Sequence, residues 1–148
     1  MKSKGVRILR GVLNDTEKVK ILTNEASGLG WKIRDFRIMP NIPAALEEVP
    51  PAYYTARLET GGALGSTSFQ FDDNRVVGIA SFSSAGPHTI FDSEQLITTD
   101  LIIRAMVNNP TAANEPLAWQ VNLEAFDVTE FEEIVATIKE TAQGGTND

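Results

Sequence analysis

The chain has 148 residues with 13 basic and 20 acidic side chains, a net charge of −7, no cysteine and a single histidine. A chain of this length makes one domain, large enough to bury a core without disulfide or metal staples. The missing cysteines and the lone imidazole exclude disulfide scaffolds, zinc fingers, thiol catalysis and any metal site that needs two histidines.

The opening MKSKGVRILRGVL sets basic residues beside apolar ones, but Arg7 and Arg10 interrupt the run. A secretory leader needs about 7–15 uninterrupted apolar residues. No window reaches the roughly 20 apolar residues of a membrane-spanning helix. The expectation is a soluble chain made in a cytoplasm, with no membrane span. Lys2, Lys4, Arg7 and Arg10 are the first charged residues, and no acid precedes Asp15. From Glu124 onward there are seven acids and one lysine. Residues 1–5 are expected to form a flexible basic arm, with Lys2, Lys4, Arg7 and Arg10 as candidate contacts to nucleic acid or an acidic neighbour. A frayed terminus followed by a polar strand face accounts for the same charges.

Short β-type runs follow one another, separated by turn chemistry. Val6 to Leu13 is the first, ended by Asn14-Asp15-Thr16, and Val19 to Thr23 the second. Trp31 to Met39 alternates, with Trp31 and Ile33 on one face. By Phe36 and Ile38 the apolar residues have changed phase, so a bulge is expected near Asp35. Residues 40–51 hold four prolines and read as a loop. Ala52 to Thr60 is strand-like, with Tyr54, Ala56 and Leu58 on one face, and the glycine-rich 61–66 follows. Thr67 to Phe71 and Arg75 to Phe82 flank Asp72-Asp73-Asn74 as a hairpin. Residues 83–88 (SSAGPH) read as a loop, and Leu96 to Val107 as one long strand. Leu117 to Val128 shows the strictest alternation in the chain, with Leu117, Trp119, Val121 and Leu123 inward. Thr129 to Glu132 is a capping box, and Phe131, Ile134, Val135 and Ile138 recur at helical spacing, predicting a short helix over about 130–142. Residues 143–148 are expected to be a disordered tail.

Eight or nine strands and one C-terminal helix in a single domain over 6–142 make the expected class all-β, an antiparallel sandwich. Apolar residues on both faces, such as Val76 with Val77 and Ile79 with Phe82, suit strands covered on a second side. A jelly roll fits best. An immunoglobulin-like sandwich has a similar strand count and stays open at this point.

Catalytic chemistry finds little purchase. His88 follows a turn, and no G-x-S-x-G elbow accompanies it or Ser83 and Ser84. Residues 61–66 lack the lysine of a phosphate-binding loop. Asp72-Asp73-Asn74 suits a tight turn better than a calcium site with six to eight ligands. No catalytic, cofactor-binding or metal residue is expected, and no cofactor. Trp31, Tyr53 and Tyr54 are candidates for a glycan-stacking platform, although Tyr53 and Tyr54 point to opposite faces; Trp119 reads as core.

The stretches Gly30 to Ile38, Asp73 to Ala80, Phe91 to Ile103, and Asn122 to Thr129 leading into a helix resemble small virion proteins of marine bacteriophages and environmental viruses with a single jelly roll. The resemblance runs over most of the chain and its motifs are structural. It implies a capsid or capsid-associated subunit, located in the virion after production in the host cytoplasm. Its implied partners are further copies of itself in a ring or shell, other virion proteins, and weakly the genome through the basic arm. Loops and termini would make the contacts. The competing expectation is a carbohydrate- or receptor-binding β-sandwich using exposed aromatics.

Overall fold

The computed structural model describes residues 2–22, 28–41, 53–60, 75–83, 85–108, 116–128 and Val135. Eight strands run in order β1 (Lys2–Leu13), β2 (Lys18–Leu22), β3 (Leu29–Pro40), β4 (Tyr53–Thr60), β5 (Val76–Ser83), β6 (Gly86–Phe91), β7 (Leu101–Asn108) and β8 (Leu117–Asp127). They form a three-stranded sheet, β1-β8-β3, and a five-stranded sheet, β2-β7-β4-β5-β6. Every ladder is antiparallel.

The pairing order decides between the two sandwiches. Rolling up one long hairpin joins the first strand to the last, the second to the next-to-last, and so on inward. Here β1 pairs β8, β2 pairs β7 and β4 pairs β5. β6 ladders with β5 and packs beside β3. An immunoglobulin domain instead sets its first strand beside its second. The fold is a jelly-roll-like β-sandwich.

Its core lies between the sheets. Trp31, Ile33, Phe36 and Ile38 of β3 and Leu117, Trp119, Val121 and Leu123 of β8 meet Tyr54, Ala56 and Leu58 of β4 and Leu101, Ile103 and Ala105 of β7, all buried. The register of β3 against β8 slips between Ile33 and Asp35, so Arg34 is the extra residue. That single insertion lets Trp31 and Ile33 before it, and Phe36 and Ile38 after it, all point inward despite their change of phase.

Three expectations are corrected. Residues 83–88 are not all loop: β6 starts at Gly86 (φ 102°), and Pro87 lies opposite Phe82. Proline is tolerated there because β6 is an edge strand with no ladder beyond it among the described elements. Leu96 to Val107 is not one strand, since the ladder begins at Leu101. Ile97, outside the named strands, is buried where it bridges Trp31 of β3, through Ile97 N to Trp31 O at 2.7 Å and Trp31 N to Ile97 O at 2.9 Å. Lys2 to Gly5 do not stand off as an arm. They continue β1, with Lys2 opposite Asp127 and Gly5 opposite Ala125. The expected strand 67–71 and tail 143–148 lie outside the described residues, as does the helix over 130–142 save for Val135, which is exposed.

Between β1 and β2, Asn14 to Glu17 make a turn closed by Glu17 N to Asn14 O at 3.1 Å. It is docked on β7 through Thr16 N to Ala105 O (3.1 Å) and Val107 N to Asp15 Oδ1 (2.8 Å). The far side of the five-stranded sheet carries a second buried cluster. Arg57 and Arg104, opposite each other on β4 and β7, converge on Glu59. Arg57 Nη2 lies 3.2 Å from Glu59 Oε2 and Arg104 Nε lies 3.4 Å from Glu59 Oε1. All three are buried.

Candidate functional site

The outer face of the three-stranded sheet is assembled by register. Across β1, β8 and β3, Val6, Glu124 and Lys32 stand in one row; Ile8, Asn122 and Asp35 in the next; then Arg10, Gln120 and Arg37; then Val12, Ala118 and Met39. Strand alternation puts all of these side chains on the side away from the core. The β1 column is the most exposed: Val6 is 62%, Ile8 58% and Val12 50% accessible. Three β-branched side chains in one strand, all on the wet side, form an apolar stripe along the sheet edge, interrupted by Arg10.

At one end of this face, a cleft of 520 Å³ is lined by Arg10, Arg37 and Gln120, with Phe82, Pro87 and Trp119 among its apolar walls. Arg37 Nε is paired with Asp35 Oδ2 at 2.8 Å. At the other end the face is held by charge. Glu124 Oε2 accepts from Ser3 Oγ at 2.5 Å, and its Oε1 accepts from Arg34 Nε at 2.7 Å. The hydrogen bond from Ser3, then that from Arg34, holds the Glu124 carboxyl below the ordinary glutamate range, against a smaller opposing effect of burial. Lys32 Nζ and the Arg34 guanidinium lie 5.3 and 5.5 Å from the ring centroid of Phe126.

The basic residues expected to act together are separated. Lys2 sits opposite Asp127, and Lys4 Nζ lies 3.7 Å from Asp127 Oδ1. Arg7 turns inward, its guanidinium 5.1 Å from the ring centroid of Trp31. Arg10 turns outward to the cleft. Alternation along β1 sends Arg7 and Arg10 to opposite faces, so the four do not make one basic surface. Nor do the three aromatic candidates make a platform. Trp31 and Tyr54 are buried in the core, leaving only Tyr53 exposed, because both β3 and β4 turn those rings toward the opposing sheet. His88 is exposed on β6 opposite Ser81.

Sequence reasoning missed the stripe. Its signal was the alternation Val6, Ile8, Arg10, Val12 in a strand whose partner is itself half polar. No helix among the described residues is long and apolar enough to cross a membrane. Comparisons of the chain with protein-family models, with curated proteins and with solved structures return no match.

Proposed function

We propose that this chain is a non-enzymatic structural subunit of a virion, a single jelly roll that self-associates into a ring or shell as a capsid or capsid-associated protein. The observation that carries the reading is the rolled pairing order, β1 with β8, β2 with β7 and β4 with β5, in a sandwich that leaves an apolar stripe on its first strand exposed. A shell subunit needs a body that does not slip in register and a surface that gains by meeting another copy. The buried inward faces of β3, β4, β7 and β8 supply the first and Val6, Ile8 and Val12 the second. The protein would be made in the host cytoplasm and end in the virion. Light scattering on a size-exclusion column and negative-stain microscopy of the purified chain test this. Closed rings or shells are the expected result; a strictly monomeric species at about 1 mM overturns it.

A further inference from the structure

The two sheets present four edges, and three of them are guarded. β2 is only five residues long and carries Lys18 and Lys20. β6 carries Pro87, which cannot donate to a further ladder. β3 is broken by the Arg34 bulge and flanked by β6. These are the devices by which proteins block unwanted strand pairing. β1 is different. It spans 12 residues, ladders with β8 on one side, and has no described neighbour on the other.

Its usable length is bounded. At one end Lys4 is bulged out between Ser3 and Gly5, where Gly5 takes φ 114°. At the other the chain turns at Asn14. Between them Gly5–Leu13 runs in unbroken register with β8. We propose that this segment pairs antiparallel with the same segment of a second copy about a two-fold axis at Leu9, joining two three-stranded sheets into one. A two-fold contact is self-complementary by construction. Using the whole flat edge places Val6 opposite Val12 and Ile8 opposite Arg10 of the second copy, all on the outer face. The ends are complementary in charge: Lys2 and Lys4 of one copy come alongside Asp15 in the turn of the other. Among the described residues neither Lys2 nor Arg10 has a charged partner within the chain.

This inference rests on the self-association proposed above and names its surface. Ile8→Lys sets a new ammonium against Arg10 of the second copy twice per interface, at a position already 58% exposed. The expected result is a weakening of self-association by roughly tenfold or more. A second measurement uses the absence of native cysteine. Proteins carrying Val6→Cys and Val12→Cys, mixed and oxidised with glutathione disulfide, should form a disulfide-linked heterodimer. Each alone should not, since the two copies' residue 6 positions lie about 20 Å apart in this register. If Ile8→Lys assembles like wild type and the mixture gives no cross-link, the edge pairing is overturned while self-association stands. A wild-type chain monomeric at about 1 mM overturns both.

Discussion

The Trp119 indole and the backbone of Gly11 stand so close that a methyl on Gly11 would sit 2.7 Å from Cζ2 and 3.0 Å from Nε1 of the ring. The two residues face each other across β8 and β1, so the glycine is what admits a large aromatic side chain beneath an edge strand. Gly11→Ala should therefore destabilise the fold by about 1–3 kcal/mol, the usual cost of overpacking against a rigid group. Gly30→Ala meets Leu96 Cδ1 at 2.5 Å, an even shorter approach. That neighbour is the end of a flexible side chain in an irregular segment, so the cost should be smaller. Urea midpoints of the two variants check the order, and equal losses would refute the distinction.

Glu59 serves two buried arginines. Glu59→Gln removes the carboxylate that Arg57 and Arg104 share and should cost about 3–5 kcal/mol. Replacing all three by apolar residues of similar volume should cost much less, because none of these three charges is then buried without the others. Chemical denaturation of the single and triple variants separates the two.

Thr16 adopts φ 67°, a left-handed conformation that a β-branched residue rarely takes. Thr16→Asn keeps the backbone bond from residue 16 to Ala105 and relieves the strain. It should raise stability by about 1 kcal/mol, seen as a higher denaturant midpoint with an unchanged slope.

Glu124 makes stability depend on acid. Its carboxyl is held below the ordinary range in the folded chain, first by Ser3 and then by Arg34. The folded state thus binds its proton less readily than the unfolded one. The contribution is complete above the unfolded pKa of about 4.3 and is lost as pH falls through the lower folded value. Stability of wild type and Glu124→Gln should differ at neutral pH and converge under acid. Ser3→Ala should move the Glu124 titration upward, as followed by side-chain NMR.

Much of the fold is legible in the residues. The strict alternation of Leu117, Trp119, Val121 and Leu123 marks β8 as a strand with one buried face, and the phase change after Ile33 marks the bulge at Arg34. β6 is obscured because Gly86-Pro87 is turn chemistry, which an edge strand also tolerates. Ile97 looks like part of a ladder because it is buried, but it is buried where it bridges Trp31, a tertiary contact. Arg57, Glu59 and Arg104 lie on a strand face that local alternation assigns to solvent. The basic start reads as an arm because its partners, Glu124 for Ser3 and Asp127 for Lys4, lie at the far end of the chain.

That separation has a consequence during synthesis. Ser3 and Glu124 are 121 residues apart, and β8 is the last strand of the eight. At cellular translation rates β1 waits roughly ten seconds after emerging before its sheet partner exists, with both edges open. Lys2, Lys4, Arg7 and Arg10 are spaced two or three residues apart along it, and before β8 arrives none of them has Asp127 to meet. Four cations and no acid on that segment work against its pairing with a like segment. Once β8 inserts, Asp127 engages Lys4 and Arg7 is drawn over Trp31. The first strand of the eight thus reaches its folded charge pairing only after the last one has emerged.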